Sequence, residues 1–356
     1  MAADLLPELL LGGHLIDRSG MPHLIAAFGR DGMRDVAIEE WAAASPVYTR
    51  RMRDALGLTG HGVTDMFKCL QHDIGAPPQF MDFRFTVYDE QHGGFELAHC
   101  GALMDVEPMG EDYVIAMCHD IEDPTFDATA VATDPTARIR PVHRPPRRPA
   151  DRHPHCAWTV TIGSDPPLRP VLDLEDTHAA RFVSDFGGEG YPGPLLGDVD
   201  WAAYSPQMRA RLADEIAIQW HLLGLGFARA VRRRPCDADM LIRKQVTGIA
   251  GLMSERLRPY VGSLAELVAV HPVLGPAAYT GVSFDGDRIV LDPQAPAYAD
   301  DGWLPQIDDR VLDALVRGYD PALVDGPECE EVALTRFSTG AAFAFEPRRS
   351  LPLTVL

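Results

Sequence analysis

The chain has 356 residues, 46% of them hydrophobic, which is enough to bury a self-sufficient core in one large domain or two of ordinary size. Its formal net charge of −20 argues against nucleic acid or an anionic membrane surface as the main partner, because the general field repels phosphate. No apolar run approaches the roughly 20 residues of a membrane span, and no basic segment precedes the N-terminal leucines, so we expect a cytoplasmic protein.

Six cysteines in a chain that we expect to be cytoplasmic are typical of reduced thiols rather than of a disulfide framework. In the simplest case a reduced cysteine is a small buried hydrophobe. Four of the six nevertheless have a histidine within three residues, although no spacing matches a C-x-x-C zinc knuckle. The cysteines are Cys69, Cys100, Cys118, Cys156, Cys236 and Cys329.

Helices are predicted over the first 75 residues, and a β-hairpin follows. Ser45-Pro46 has the pattern of an N-cap followed by proline at the first helical position. Apolar and polar residues alternate over 83–88 and predict a strand, and Gly93-Gly94 is predicted to make the turn into the next strand. The segment 111–122 returns to helical period, and Asp123-Pro124 is predicted to end that helix.

A third strand is predicted at 156–163, after an extended Pro/Arg connection over 141–154. Glycine and proline crowd together over 186–197, and we place a domain boundary there. This division gives a helix-plus-hairpin domain over residues 1–190, and a domain of paired helices and antiparallel strands over residues 191–356.

The second half opens with a segment, 201–214, that matches 41–54 at seven of fourteen positions. An internal duplication explains this match, and so does the recurrence of Ser-Pro helix caps for reasons of helix chemistry alone. Two long helices are predicted next, from Ser205 to about Arg233 and from Asp237 to Arg258. A hairpin at 279–292 and a late strand at 333–347 follow. This mixture lacks regular β-α alternation and predicts an α+β fold, with helices packed on short antiparallel sheets.

Two clusters of polar residues stand out: Glu96, His99 and Cys100 in the hairpin, and Cys118, His119 and Glu122 in the helix. Side chains alternate along a strand, so we expect Glu96 and Cys100 on one face and His99 on the other. On a helix, His119 and Glu122 are three residues apart and share a face, as His and carboxylate ligands do in bundle metalloproteins.

If the helix packs back on the hairpin, the two clusters predict a metal site. His99, His119 and Glu122 would bind one divalent ion, which we expect to be zinc, iron or manganese, with Glu96 or Cys118 as base or additional ligand. An open position on the ion would let it acidify a water molecule for hydrolysis.

Cysteine catalysis is a second interpretation of the same residues. Neighbours on a strand point to opposite faces, so the pairings that stay open are Cys100 with His119, or Cys118 with His99. A third interpretation is structural: Cys118 belongs to an apolar stripe, and His119 bridges the helix to a backbone carbonyl. The tetrapeptide His72-Asp73-Ile74-Gly75 looks like the core of HD-type phosphohydrolases, but the Ala-Pro-Pro that follows ends any helix.

The order of elements carries a family resemblance. Two helices precede a hairpin that ends in Cys100, a short helix carries Cys118-x-x-x-Glu122, and a strand opens on Cys156 after a basic connection. In these features residues 40–163 resemble the L-2-amino-thiazoline-4-carboxylic acid hydrolase-like family. The resemblance implies a small helix-plus-sheet domain and a metal-dependent hydrolysis of a ring or an amide. The C-terminal half departs from that short family. The whole chain also looks like an actinobacterial protein, which its two lysines among 32 basic residues fit.

We therefore predict a metal-assisted hydrolase or lyase that acts on a small anionic or acyl metabolite, with Glu96, Cys100 and Cys118 as candidate catalytic residues. The residues predicted to clamp an anionic substrate group are Arg144, Arg147 and Arg148. The alternative is a non-catalytic protein, an acyl or lipid carrier or a complex subunit, in which the clusters are structural. The expected partner is a small-molecule substrate rather than nucleic acid or a membrane, and the expected assembly is a homodimer.

Overall fold

A computed structural model describes residues 3–163, 172–191, 193–195, 198–285, 288–320, 330–338 and 341–349. The α+β class predicted from the sequence is confirmed. The helices are α1 (Leu5–Leu11), α2 (His14–Ala55), α3 (Val63–Leu70), α4 (Gly101–Val106), α5 (Glu111–Ile115), α6 (Glu122–Ala130), α7 (His178–Arg181), α8 (Pro206–Arg232), α9 (Ala238–Leu257), α10 (Leu264–Val270), α11 (Ala277–Thr280), α12 (Pro296–Ala299) and α13 (Asp309–Tyr319). The strands are β1 (Met81–Val87), β2 (His92–Cys100), β3 (Arg138–His143), β4 (Cys156–Thr161), β5 (Val282–Asp285), β6 (Arg288–Leu291), β7 (Glu330–Ser338) and β8 (Ala341–Arg349).

The strands form two antiparallel sheets, in the orders β1-β2-β4-β3 and β5-β6-β8-β7. In the first sheet Phe95 pairs with Phe85 on one side and with Trp158 on the other, so that aromatic side chains share one face. The predicted third strand is β4. The late strand predicted at 333–347 is a hairpin made of β7 and β8. The turn predicted between β5 and β6 lies partly outside the described residues.

The hairpin predicted in the first half is confirmed as β1 and β2, but its turn lies earlier than Gly93-Gly94. The carboxylate of Asp89 accepts backbone hydrogen bonds from Gln91 and His92, both at 2.8 Å, and holds the turn. Gly93 instead belongs to β2, at a place where the neighbouring backbone and side chains leave no room for a side chain. A Cβ at this position would lie 2.9 Å from the Thr86 carbonyl oxygen.

Helix α2 runs through Ser45-Pro46, so the predicted N-cap at this place is wrong. The Ser45 hydroxyl instead donates to the carbonyl of Trp41 one turn earlier, as an interior serine commonly does. The helix is interrupted at Gly29, whose φ of 71° and ψ of −175° are backbone angles that essentially only glycine adopts.

The Ser-Pro cap predicted for α8 is confirmed, because the Ser205 hydroxyl accepts a hydrogen bond from the Met208 amide at 3.2 Å. The two matching segments therefore differ in structure: 41–54 lies inside a helix, whereas 201–214 contains the start of one. The ends predicted for α8 and α9 agree with the structure to within one residue.

The helix predicted over 111–122 does not end at Asp123-Pro124 but continues as α6 to Ala130. Between α5 and α6 the chain forms a π-helical turn, Ala116–Ile121. Proline lacks an N–H and crowds the carbonyl four residues before it, but it is tolerated in the first turn of a helix. Because the π-helical turn resets the hydrogen bonding, Pro124 falls in the first turn of α6.

Buried apolar residues form two clusters that do not follow the predicted boundary at residue 190. The larger cluster extends from Leu5 to Val316 and includes α1, α2, α8, α9 and α13. The smaller cluster, from Val63 to Ile162, joins α3, the first sheet and the α4–α6 region. Helix α2 makes its most extensive contacts with α8 and α9, so the N-terminal helix completes the core of the C-terminal half.

Candidate functional site

A cavity of about 600 Å³ lies where α2 faces the first sheet and the α4–α6 region. Its wall is drawn from three segments, 14–48, 70–83 and 102–129, and is mainly apolar. Six aromatic side chains belong to it: Trp41, Tyr48, Phe80, Phe83, Tyr113 and Phe126. Cavities of this volume commonly hold small organic molecules, and an apolar wall with a few polar groups is their usual composition.

The π-helical turn Ala116–Ile121 shapes one side of the cavity. Tyr113 and Met117 lie in the wall before and within this turn, and Glu122 and Phe126 lie in the same wall after it. A π-helical turn has a longer hydrogen-bonded repeat than an α-helix, so it changes which residues share a face. Such turns occur frequently at functional sites.

Glu122 is the most unusual polar group in this wall. Its residue is only 6% exposed, and its Oε2 atom has no hydrogen-bond partner among the described residues. Burial raises the pKa of the Glu122 carboxyl to about 8, although the nearby guanidinium of Arg144 acts in the opposite direction. The carboxyl is therefore mostly protonated at neutral pH.

Three buried thiols lie close enough to Glu122 for its charge to shift their pKa values. They belong to Cys100 at the end of β2, Cys118 in the π-helical turn and Cys156 at the start of β4. Burial, and after it the Glu122 carboxyl, raise the pKa of Cys100 to about 12 and shift the pKa values of Cys118 and Cys156 upward as well. Protonated thiols are poor nucleophiles, so this environment does not activate a cysteine.

Two further carboxyl groups, those of Asp73 and Asp17, lie in the cavity wall. Asp73 accepts hydrogen bonds from the Tyr48 hydroxyl at 2.9 Å and from the Gly75 amide at 2.7 Å, and burial raises its pKa to about 6. Asp17 accepts weaker bonds from the Trp41 indole at 3.3 and 3.4 Å, and burial raises its pKa to about 7. With Glu122, the cavity wall thus carries three carboxyl groups whose pKa values are all raised by burial.

A β-bulge corrects the predicted faces of β2. Phe83 pairs with Leu97, but Met81 pairs with Cys100, so β2 has one more residue than β1 between these pairs. The bulge turns Cys100 to the buried face, whereas Glu96 is exposed to solvent on the other side. We predicted that these two side chains would share a face, and that prediction is wrong.

The histidines of the two clusters are also separated. His99 is exposed, and its ring lies 6.0 Å from the ring of His155 rather than against the helix. His119 donates from Nε2 to the carbonyl of Pro145 at 2.7 Å, which is the bridging role that the structural interpretation assigned to it. Of the predicted ligands, only Glu122 lies in the cavity wall.

The predicted metal site is not supported by this arrangement. Within the part of the chain that the structure describes, no group of three or more His, Cys, Asp or Glu side chains is placed to hold a metal ion. His99, His119 and Glu122 are not gathered, so we derive no chemical step through an ion. A zinc, iron or manganese ion in this protein stays a prediction from the sequence.

The three arginines predicted to clamp a substrate instead bind carboxylates of the helical segment. Arg144 pairs with Asp123, and Arg148 with Glu111 at 3.1 Å. Arg147 donates two hydrogen bonds to Glu107, at 2.9 and 2.8 Å. These ion pairs fasten the Pro/Arg connection over the helical segment, and they leave no free guanidinium among the three for an anionic group.

Asp17 and Asp73 are not among the site residues predicted from the sequence, although both lie in the cavity wall. Asp73 belongs to the tetrapeptide that looks like an HD motif, but its neighbour His72 points elsewhere and binds the Lys68 carbonyl and the Tyr204 hydroxyl. Asp17 had no recognisable motif. The only available signal was a single acidic residue among the apolar residues of a helix.

A comparison with family models, with curated proteins and with solved structures finds no match for this chain. The resemblance of residues 40–163 to the thiazoline hydrolase-like family therefore stays a prediction. Among the helices that the structure describes, none combines the length and the apolar character needed to span a membrane.

Proposed function

We propose that this protein is an enzyme that binds a small, largely apolar metabolite in the cavity and uses the Glu122 carboxyl to transfer a proton during hydrolysis or elimination. The single observation that carries this proposal is the placement of Glu122, buried in the wall of a ligand-sized cavity, with one carboxyl oxygen that no described residue contacts by a hydrogen bond. Buried carboxyl groups with raised pKa values in a cleft are typical of general acids and bases.

The chemistry follows from the protonation state of Glu122. In hydrolysis, the oxygen of a water molecule forms a bond to the carbonyl carbon while the bond to the leaving group breaks. The protonated carboxyl gives its proton to the leaving group, and the resulting carboxylate takes a proton from the attacking water. The carboxyl is thereby restored, and no other co-reactant is required. An elimination would use the same proton transfer, with carbon instead of water as the source of the returning proton.

A specific observation also favours a second candidate, a non-catalytic carrier. The wall is mainly apolar, and the thiols that could have served as nucleophiles are protonated by their environment. A carrier needs only such a wall and a polar contact at one end of the ligand. The two candidates differ in whether the bound molecule is changed.

The experiment compares purified wild-type protein with Glu122→Gln and with Glu111→Gln, a matched control at an exposed carboxylate of the neighbouring helix. The substrates are p-nitrophenyl butyrate and p-nitrophenyl octanoate, and the readout is release of p-nitrophenol. We expect faster hydrolysis of the octanoate, a loss of about 100- to 10,000-fold in kcat in Glu122→Gln with a nearly unchanged KM, and no change in Glu111→Gln.

Equal activity in wild type and Glu122→Gln would contradict the proposal. If wild-type protein releases no p-nitrophenol, incubation with a cellular small-molecule extract extends the test to elimination, since mass spectrometry would detect a compound consumed only by wild type. Thermal stabilisation by octanoate without any turnover would support the carrier.

A further inference from the structure

The ionisable groups in the cavity wall are predominantly acidic. Asp17, Asp73 and Glu122 are joined by Asp105 near Arg18, whereas Arg18 is the only arginine or lysine in the wall of the described structure. The Arg18 guanidinium is already bound, because it donates to both carboxylate oxygens of Asp105 at 2.7 and 2.8 Å. An anionic ligand would therefore meet carboxyl groups and no uncommitted guanidinium.

Glu122 differs from the other acidic groups in the wall, because one of its carboxyl oxygens has no hydrogen-bond partner in the described part of the chain. Oε2 of Glu122 is buried and has no partner among the described residues, although its side chain lies in the cavity wall. A buried unpaired carboxyl oxygen is costly, so a donor from a bound molecule would relieve that cost. The nearest arginine, Arg144, does not line the cavity and is paired with Asp123.

The aromatic part of the wall also suits a cation. The ring faces of Trp, Tyr and Phe carry negative potential and attract ammonium and guanidinium groups. The wall already shows one such contact, because the Arg18 guanidinium carbon lies 5.2 Å from the centre of the Phe80 ring. Trp41, Tyr113 and Phe126 offer further rings in the wall of the same cavity.

We infer that the ligand of this cavity is a hydrophobic amine, with its apolar body among the aromatic side chains and its ammonium group at Glu122. This inference rests on the proposed function, because it takes the same cavity as the substrate site. The sequence predicted a ligand with an anionic group. The inferred ligand has a cationic group instead and an apolar body. The Glu122 carboxyl gives up its proton when the ammonium group binds. The resulting charged hydrogen bond between ammonium and carboxylate is stronger than a neutral one, so the head group decides the affinity.

The test uses three probes that share one apolar body and differ in charge: 3-phenylpropylamine, 3-phenylpropan-1-ol and 3-phenylpropanoate. Binding to full-length wild type, Glu122→Gln and the control Glu111→Gln is measured by calorimetry at pH 7 and low salt. We expect wild type to bind the amine about tenfold more tightly than the alcohol, and the carboxylate most weakly. Glu122→Gln should lose that tenfold preference and still bind the alcohol, which shows that the variant is folded.

Equal affinities for amine and alcohol, tightest binding of the carboxylate, no binding of any probe, or an equal loss of all probes in Glu122→Gln would overturn the inference. The ester assay separates this failure from failure of the proposed function. If turnover depends on Glu122 but the protein does not prefer the amine, the proposed enzymatic function is supported and the amine ligand is rejected. If the protein prefers the amine but shows no turnover, the amine site is supported and the proposed enzymatic function is rejected.

Discussion

The guanidinium of Arg147 and the carboxylate of Glu107 form a two-point ion pair across forty residues of sequence, with N–O distances of 2.9 and 2.8 Å. The Arg147 side chain is only 12% exposed, whereas the neighbouring pair of Arg148 and Glu111 is 77% and 57% exposed. The two pairs join the same segments and differ in burial and geometry, so they form a matched comparison.

We expect a double-mutant cycle with Arg147→Ala and Glu107→Ala to give a coupling free energy of about 1–3 kcal/mol, because the pair is bidentate and partly buried. The same cycle at Arg148 and Glu111 should give about 0–0.5 kcal/mol, since solvent and salt screen an exposed pair. Urea unfolding measures both cycles. Equal couplings at the two pairs would count against the fastening role assigned to Arg147.

The sequence was informative where local chemistry decides the structure. The cap at Ser205, the long helices α8 and α9, and the β1–β2 hairpin follow from capping and periodicity. The N-cap predicted at Ser45 is wrong because the tertiary contacts of α2 with α8 and α9 outweigh the local preference of Ser-Pro for a helix start.

The candidate site was less predictable: of the three residues predicted as metal ligands, only Glu122 lies in the cavity wall. The β-bulge before Cys100 and the π-helical turn each add one residue to a regular repeat, and both change which face a side chain occupies. A strict alternation over 96–100 therefore gave the wrong face. Asp17 and Asp73 come to the cavity through long-range packing, which periodicity does not encode.

Gly29 permits the interruption of α2, and its replacement is expected to destabilise the fold. Its φ of 71° with ψ of −175° lies in a region that is essentially reserved for glycine, although a Cβ would meet no atom within 4 Å. We expect Gly29→Ala to lower the free energy of unfolding by about 1–3 kcal/mol through backbone strain alone. Gly187→Ala is the control, because that site also has open space but an ordinary φ. Similar melting temperatures for the two variants would refute the strain.

Glu40 is fully buried in α2, and neither carboxyl oxygen has a partner among the described residues. Burial, and then the charge of Asp17, raise the pKa of Glu40 well above its ordinary value of 4.5. The unfolded chain loses this proton first, so the wild-type protein loses stability as pH rises above about 4.5, until the folded pKa is reached.

We expect Glu40→Met to be more stable than wild type, and the advantage to grow as pH rises above about 4.5, by at most about 1.4 kcal/mol for each pH unit. Unfolding by urea at several pH values measures the effect. Glu39→Gln is the control. Glu39 pairs with Arg234 at 3.2 Å, so its replacement should lower the stability of the protein. A stability gain in Glu40→Met that is the same at pH 5 and pH 8 would show that Glu40 is not protonated in the folded state.

The protonation of Glu122 sets an expected pH limit on turnover. A general acid is active when protonated, and the pKa of Glu122 is raised to about 8, so kcat should fall as pH rises through about 8. The pKa values of Asp17 and Asp73 are raised to about 7 and 6. If kcat falls at pH 6 to 7 instead of near pH 8, one of these two carboxyl groups controls the pH dependence. Asp17→Asn and Asp73→Asn, each measured over pH 5–9, identify which carboxyl is responsible.

Metal removal is expected to leave the fold unchanged. Because the described residues gather no three-ligand group, dialysis against EDTA should not shift the melting temperature, and elemental analysis should find zinc, iron and manganese well below one equivalent. His119→Ala is the control for the sequence prediction. Stoichiometric metal that disappears in His119→Ala would restore the predicted ligand set and would require the α5–α6 region to move toward His99.

The π-helical turn Ala116–Ile121 amounts to an α-helix with one residue inserted, and the alignment of the cavity wall depends on that residue. Deleting it would return the segment to ordinary helical pitch and rotate one flank against the other by about 100°. Tyr113 and Met117 would then turn away from the side that Glu122 and Phe126 occupy. A chain shortened in this way could keep its helix and its folded core, and yet the acid and its aromatic neighbours would no longer meet.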